Sequence, residues 1–337
     1  MRGRDLLILA AVLLVGGFAV ADTLRDEASS DSEPAAGSTT TGAQTAPTTT
    51  VDEQLGRASF PTVPRGGGSI VVAQSGSCAI REFDLPTGLE FPNVVARSSC
   101  ELWAAPVTAK IAVGIGEARG DAVPFRFIDL ARRGRNLGTS EALFGFLIWS
   151  EDGQRAAWCN SLHVGIDLEF GEFRHRLPGC PAAYTPDGEV ALAEGDRLVV
   201  EGRTALTASG GITNVHYGSD GSVAVDVEGR RIERYRRGRL TDALDLPERF
   251  EGRMPNLSPD NCSAAFRADD RIRILDVGCS RLGPGGTVFP GHAASWSPDG
   301  SSIAIGGASE LTFYDLEGSV PPVTWPIGAV SMVWRRS

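Results

Sequence analysis

The sequence predicts an all-β fold, a seven-bladed β-propeller built from four-stranded antiparallel blades. Three observations support this prediction: a turn motif recurs every 33 to 40 residues, a second aspartate follows it at a fixed distance, and the C-terminal segment completes the first repeat. The composition agrees, because 337 residues contain 41 glycines, 20 prolines and 42% hydrophobic residues. Such a chain suits many short strands joined by tight turns.

The recurring turn follows an aromatic residue or a leucine that ends a strand. Its five copies occupy residues 149–153, 184–188, 217–221, 257–261 and 296–300. Proline presets φ in this turn and glycine or asparagine accepts a positive φ, so each copy predicts the first hairpin of a blade. The turn aspartates are expected to cap the turns through side-chain to backbone hydrogen bonds, because a ring spreads them too far apart to share one Ca²⁺ ion. They are Asp152, Asp187, Asp220, Asp260 and Asp299.

A second aspartate signature marks the end of a later strand in most repeats. Its members are Asp84, Asp129, Asp167, Asp276 and Asp315. The separation from the turn aspartate is 15 residues for the pair 152 and 167 and 16 for the pairs ending at 276 and 315. Blades four and five depart from it, with residues 200–202 and 232–238 at that place.

The two ends of the folded region are predicted to share one blade. Residues 103 and 334 extend the turn-preceding positions to seven: 103, 149, 184, 217, 257, 296 and 334. Residues 69–73 match the second strand at 302–306, so blade one lacks an inner strand, which residues 329–334 would supply. Closure of this kind removes exposed sheet edges. The alternative is a six-bladed ring, in which the segment assigned to blade two does not form a blade of its own.

Residues 297–304 and their counterparts resemble the WD40-like repeats of the TolB-type propeller family. The resemblance covers about residues 66–337 and implies an exported binding platform, although propellers also host enzymes. The namesake group has six blades and a separate α/β domain, and this sequence predicts no such domain. Its specific partners are therefore not transferred to this chain.

The N-terminus predicts export. Arg2 and Arg4 precede an apolar run at 6–21, the order of a signal sequence. Residues 1–21 are therefore predicted to be a signal anchor or a signal peptide. As a helix the 16 apolar residues would be about 24 Å long, a little short of the ~30 Å bilayer core that an anchor must cross. Residues 19–21 form a small-residue cleavage site, as in a signal peptide. We expect a single-pass membrane protein with an extracytoplasmic propeller; the alternative is secretion after cleavage near Ala21.

Residues 22–60 predict a disordered linker rich in Ser, Thr, Pro and acidic residues. The stretch 22–56 carries a net charge of −6 of the total of −10. An acidic stalk fits a domain held off a membrane, which favours the anchor. The propeller, at 66–337, is close to neutral, so no nucleic-acid partner is expected.

Six cysteines in an exported chain predict three disulfides. The blade map pairs Cys78 with Cys100 and Cys159 with Cys180, because both pairs join a second-to-third turn to a crossing between blades. It pairs Cys262 with Cys279, which lie in turns on the opposite face. The spacings have no zinc-site character.

No catalytic, cofactor-binding or metal-binding residues are expected, and the chain is predicted not to be an enzyme. The four histidines are spread over four blades or the crossings between them: His163, His175, His216 and His292. The sequence contains neither a dinucleotide-binding loop nor a nucleophile elbow. The alternative is a propeller hydrolase or lactonase with a metal in the channel. His216 or His292 would then contribute to the metal site.

One basic cluster on the third strand of blade five could dock an anionic partner, or it could be a solvated outer strand. Its residues are Arg230, Arg231, Arg234, Arg236, Arg237 and Arg239. The leading hypothesis is a membrane-tethered module that binds an unknown protein or a polymer of a bacterial envelope through the loops of one ring face.

Overall fold

The structure is a computed structural model that describes residues 60–63, 67–91, 99–115, 117, 120–132, 134–143, 147–160, 162–170, 174–246, 256–268, 270–279 and 286–336. The predicted export segment 1–21 and the predicted linker up to residue 59 lie outside the described residues. Apart from one 3₁₀ turn, η1 (Leu130–Arg132), the assigned elements of the described chain are strands.

The strands follow one another in chain order. The first fourteen are β1 (Ser69–Gln74), β2 (Ile80–Asp84), β3 (Leu102–Ala104), β4 (Lys110–Gly114), β5 (Ala122–Asp129), β6 (Arg135–Leu143), β7 (Leu147–Trp149), β8 (Arg155–Cys159), β9 (Gly165–Glu169), β10 (Arg174–Leu177), β11 (Pro181–Tyr184), β12 (Val190–Glu194), β13 (Arg197–Val200) and β14 (Arg203–Thr207). The others are β15 (Ile212–Tyr217), β16 (Ser222–Val227), β17 (Arg231–Arg236), β18 (Arg239–Asp245), β19 (Asn256–Leu257), β20 (Ser263–Ala268), β21 (Arg271–Asp276), β22 (Thr287–Pro290), β23 (Ala293–Trp296), β24 (Ser302–Gly306), β25 (Leu311–Asp315), β26 (Val323–Trp325) and β27 (Ala329–Arg335).

Within the described ranges these strands form seven antiparallel sheets, which confirms the seven-bladed propeller and makes the six-bladed alternative wrong. Blades two to seven each contain four consecutive strands, from β3–β6 to β23–β26. Blade one contains β27, β1 and β2 in that order, and a bridge between Phe83 and Glu90 stands where its fourth strand would lie.

Each blade meanders from the axis to the rim, which gives the ring two distinct faces. Turns between first and second strands, and between third and fourth strands, lie on one face, here called the hairpin face. Turns between second and third strands lie on the other, here called the crossover face, together with the crossings to the next blade. In blade one β27 is the first strand, β1 the second and β2 the third.

The ring closes between the two ends of the described chain. Strand β27 pairs with β1 from Ser69 opposite Arg335 to Ala73 opposite Ser331, so the predicted inner strand is confirmed. Arg335 forms an ion pair with Glu82 of β2, and the two side chains are only 7% and 8% exposed. Its Nη1 donates to the carbonyl of Thr108 in blade two at 2.6 Å. One guanidinium therefore joins three strands of blade one to the next blade.

The seven turn-preceding residues lie on first strands, and several pack against the preceding blade. The ring of Trp334 in blade one lies 5.6 Å from that of Phe313 in blade seven, edge to face. Trp149 of blade three meets Phe127 of blade two at 5.8 Å in the same geometry. Trp296 of blade seven donates its Nε1 to the carbonyl of Asn256 in blade six at 2.8 Å. The repeated aromatic position is thus a wedge between neighbouring blades.

A buried polar cluster joins blades three and four. The Tyr184 hydroxyl donates to Asp167 Oδ1 at 2.7 Å, and Arg155 pairs with the same carboxylate. Arg155 Nη1 also donates to the Gly188 carbonyl at 2.6 Å. Asp167 does not end its strand as the sequence predicted, because it is the middle residue of β9, and its role here is a contact between blades.

The capping role of the turn aspartates is confirmed in four blades. Asp152, Asp220, Asp260 and Asp299 each accept a backbone amide hydrogen bond two residues on, at 2.9 to 3.1 Å. In blade four the turn is held by Thr185, whose Oγ1 accepts from the Glu189 amide at 3.1 Å.

Packing begins before the expected start of the propeller at residue 66. Phe60, assigned to the linker on sequence grounds, stacks on Trp325 with 5.0 Å between ring centroids. The Trp325 indole donates to the Pro61 carbonyl at 2.9 Å, and the Val63 amide donates to the Leu85 carbonyl at 3.2 Å. Residues 60–63 therefore pack against both blade seven and blade one.

The three predicted cysteine pairs are the three disulfides of the described chain, with Cα–Cα distances of 4.6 to 5.3 Å. They join Cys78 to Cys100, Cys159 to Cys180 and Cys262 to Cys279. Chains with this many disulfides are typical of oxidising compartments.

Replacing Arg335 with Ala is expected to lower the free energy of unfolding by about 3–5 kcal/mol, because Glu82 stays buried without its counter-charge. Chemical denaturation measures the change. Arg197→Ala is the matched control, since its ion pair with Glu194 is about half exposed and should contribute less than about 1 kcal/mol. Equal losses in the two variants would contradict the role given to Arg335.

Removing the Cys262–Cys279 disulfide by a double substitution to Ala is expected to cost about 3 kcal/mol of stability. The bond closes a loop of 17 residues and so restricts the unfolded chain. Urea unfolding of the variant beside the oxidised and reduced wild type measures the loss. A variant as stable as the oxidised wild type would show that this disulfide adds nothing.

Candidate functional site

The described chain forms an open cavity of about 700 Å³ on the propeller axis. Every blade contributes to its wall, through the end of a first strand or the turn that follows, so the cavity lies toward the hairpin face. One wall residue from each blade, in order from blade one, is Trp334, Pro106, Trp149, Tyr184, Tyr217, Leu257 and Trp296. Six of the seven turn-preceding residues therefore border the cavity, and in blade two Pro106 lies in the wall in place of Trp103.

The backbone adds hydrogen-bonding groups to this wall. Each first strand is the edge of its sheet, with a partner strand on one side only in the described chain. Its inner-edge N–H and C=O groups lie outside the strand ladder and face the axis. Some of these groups are already used between blades: the carbonyls of Ala294, Asn256 and His216 accept from side chains of a neighbouring blade, and the Trp334 amide donates to Ser295 Oγ. Those without such a partner are left for a ligand.

The wall carries little charge. Among its side chains Glu151 and Arg336 are of opposite sign and lie 3.3 Å apart, joined by an exposed ion pair. The other titratable wall residues are His216 and the two tyrosines, Tyr184 and Tyr217. Desolvation raises the pKa of Tyr217, so its ring stays neutral. The site is therefore close to neutral.

His216 is held in one orientation by the next blade. Its Nδ1 lies 2.6 Å from Oδ1 of Asn261. The Asn261 amide is itself oriented, because Nδ2 donates to the His216 carbonyl at 3.2 Å and to Ser222 Oγ at 3.1 Å. Its Oδ1 must then accept, so Nδ1 of His216 carries the proton and Nε2 is left as an acceptor. Nε2 has no partner among the described residues.

Burial lowers the pKa of His216 below its ordinary value, and the Asn261 hydrogen bond opposes this only in part. At neutral pH the imidazole is therefore uncharged. A neutral, oriented imidazole in a cavity wall is a hydrogen-bond acceptor for a ligand.

Asn261 is the part of this site that sequence reasoning missed. It replaces the glycine that ends the turn in other blades, and its φ of 56° is the left-handed conformation that this turn position demands. The sequence signal was the asparagine itself, which stands where the other four turns have glycine. In the structure its side chain is fully buried.

The other histidines are not brought to the cavity. His292 lies at the crossover face, with Nδ1 at 3.7 Å from Asp270 Oδ1. His163 lies in the second-to-third turn of blade three, and His175 lies on its fourth strand, β10. In the described part of the chain no group of three or more His, Cys, Asp or Glu side chains could hold a metal ion.

The arginine cluster lies on the third strand of blade five, as predicted, but half of it is engaged in ion pairs. Arg234 and Arg236 both reach Asp220 at 2.6 Å. Burial raises the pKa of Asp220, but hydrogen bonds from Ser222 and the two guanidinium groups outweigh it and lower this pKa to about 2. Arg231 pairs with Glu233 and Asp245 at 3.1 and 2.7 Å.

The remaining three arginines are exposed and divide between the two faces. Arg230 precedes β17 at the crossover face, whereas Arg237 and Arg239 flank the turn after it at the hairpin face. The six arginines lie within ten residues of the sequence, but they do not form one basic patch in the structure. Arg237 and Arg239 are the pair on the same face as the axial cavity.

Among known proteins, similarity is found at the level of the fold. No family model and no curated protein matches the chain. The TolB-type resemblance therefore stays a prediction. Among solved structures, hydrazine synthase of Kuenenia stuttgartiensis is similar at 18% identity over 64% of this chain and 76% of that chain, with a TM-score of 0.44.

Two further solved structures are similar at comparable levels. The Cps50 (Swd1) β-propeller domain of Myceliophteria thermophila has 16% identity over 71% of this chain and 90% of that chain, with a TM-score of 0.45. A functionally unknown protein of Desulfotomaculum acetoxidans has 13% identity over 80% of this chain and 99% of that chain, with a TM-score of 0.48.

No helix within the described ranges is long and apolar enough to span a membrane. The predicted anchor lies outside those ranges.

The lowered pKa of His216 predicts a pH-dependent stability. Below about pH 6.5 the unfolded chain takes up a proton that the folded chain resists, so the free energy of unfolding falls as the pH falls. The slope between pH 7.5 and about 5.5 should be smaller in His216→Gln. His163→Asn, which changes an exposed turn residue, is the control and should keep the wild-type slope. Identical slopes in all three proteins would contradict the prediction.

Proposed function

We propose that this chain is an extracytoplasmic, membrane-tethered β-propeller that binds a protein or a component of the cell envelope, acting by binding rather than by catalysis. Its binding surface is the hairpin face, with the axial cavity at the centre. The observation that carries this proposal is the cavity itself, which combines an aromatic border with the open acceptor of His216 and the inner-edge backbone of the first strands.

The proposed extracytoplasmic location rests on two features of the chain. The signal-like order of residues 1–21 and the acidic spacer after them suit export and tethering. The three disulfides suit the same compartment, because they form and persist where thiols are oxidised.

The choice of the hairpin face rests on rigidity as well as composition. Its turns are linked from blade to blade: the Ser219 amide donates to the Pro259 carbonyl at 2.6 Å, and the Arg336 amide donates to the Pro106 carbonyl at 3.0 Å. A surface ordered before binding loses less conformational entropy on binding. Tryptophan and tyrosine, which border the cavity, are the residue types that dominate binding energy at interfaces.

Photo-cross-linking of the full-length protein in its native envelope tests the choice of face. A cross-linking residue at Val107, 40% exposed in the first hairpin turn of blade two, is expected to capture one dominant partner. The same residue at Leu162, 77% exposed on the crossover face, is the control and should capture only background. Capture from position 162 alone would overturn the choice of face.

The same experiment tests the remaining basic residues. Arg237→Gln combined with Arg239→Gln should reduce capture if the partner is anionic, and Arg197→Gln should not. Unchanged capture would separate the arginines from the binding surface.

The mass of the mature chain tests the tether. We expect the protein isolated from the membrane fraction to retain residues 1–21, since the anchor is proposed to be uncleaved. Intact-mass spectrometry of the isolated protein measures this. A mature chain that begins after Ala21 and leaves the membrane fraction would establish the secreted alternative instead.

A further inference from the structure

We propose that the axial cavity binds an uncharged, hydroxyl-rich ligand, a neutral saccharide unit, with Nε2 of His216 accepting a hydrogen bond from a ligand hydroxyl. This inference rests on the proposed function and names the ligand class of the same face. Size permits it, because about 700 Å³ falls within the range of about 300–1,000 Å³ typical of small-molecule sites.

The charge of the wall argues for a neutral ligand. Glu151 and Arg336 already pair with each other, so neither supplies an uncompensated charge. A charged ligand would lose its hydration without meeting a counter-charge, which is costly. An uncharged ligand avoids this loss.

The hydrogen-bonding groups of the wall argue against a purely apolar ligand. The inner-edge backbone groups that have no partner from a neighbouring blade would be dehydrated by it and left unpaired, as would Nε2 of His216. The Ser219 side chain, exposed in the turn of blade five, would gain nothing from it. A polyhydroxylated molecule can both donate to and accept from such groups.

The arrangement of these groups favours a compact ring over a peptide. An extended peptide pairs along one strand edge and leaves the others unmatched. A sugar ring directs hydroxyl groups outward around its perimeter, so it can meet groups that converge from several blades. Its C–H surfaces can rest on the aromatic border formed by Trp149, Tyr184, Tyr217, Trp296 and Trp334.

His216 gives this site a directional contact. Its proton is held on Nδ1 by Asn261, so Nε2 accepts and does not donate. A ligand hydroxyl satisfies this acceptor, whereas a ligand carbonyl or ether oxygen at the same point would not. The histidine of blade five and the asparagine of blade six act together as one recognition element.

The test is titration of the purified full-length chain with a panel of probes, followed by isothermal calorimetry and ligand-observed NMR. The neutral probes are glucose, galactose, mannose, N-acetylglucosamine and their disaccharides. Glucosamine and glucuronic acid are the charged probes, and unstructured decapeptides represent a peptide ligand. We expect at least one neutral saccharide to bind saturably with a Kd below about 1 mM.

Two variants locate the binding. His216→Phe should weaken the affinity about 10-fold, the effect of one lost hydrogen bond. Because that change also removes the bond to Asn261, Ser219→Trp provides a second variant that fills the mouth of the cavity from an exposed turn and should abolish binding. Ser309→Trp, an exposed turn residue of the crossover face, is the control and should bind as the wild type does.

Binding of no neutral saccharide at this affinity, or binding that Ser219→Trp leaves unchanged, would overturn the inference. Selective binding of the charged sugars or of the decapeptides would overturn it as well. The proposed function fails separately, on the cross-linking outcome: a partner captured from position 107 without saccharide binding would leave the binding module standing and remove only its ligand class.

Discussion

Closure of the ring by β27 on β1 is the interaction on which the remaining contacts depend. Ser69 and Arg335, 266 positions apart in sequence, hydrogen bond in one buried cluster with Glu82. Closing so long a loop costs conformational entropy. The contact offsets that cost because it buries Trp334 against Phe313 and gives β1 a hydrogen-bonded partner strand. Without it blades one and seven would each expose an apolar face, and the axial cavity would have no complete wall.

The interfaces between blades combine apolar wedges with buried polar contacts. Tyr184 reaches back to Asp167 in blade three, and Asn261 reaches back to His216 in blade five. A polar group buried between blades must find its partner or lose its hydration without compensation, so these contacts tolerate little displacement. The same contacts that keep the blades in register also orient the side chains at the hairpin face, which links stability of the ring to the geometry of the candidate site.

The candidate site is a product of the ring and belongs to no single blade. Its backbone groups lie outside the strand ladders because first strands have no neighbouring strand toward the axis. Its acceptor at His216 exists because the next blade holds the ring proton. Sequence analysis named His216 for its place near an inner strand. The contact that the sequence did not indicate is the Asn261 amide at its Nδ1.

Sequence alone determined the features that depend on local chemistry. The recurring turns define five hairpins because proline, aspartate and glycine constrain the backbone at short range, and the phase of the repeats then located the closing strand and the three disulfides. Tertiary structure decided which residues meet across blades. It divided the arginine cluster between two faces, packed Phe60 on Trp325, and set Asn261 on His216. These contacts join residues far apart in sequence, and they depend on the angle at which one blade packs on the next, which no local pattern encodes.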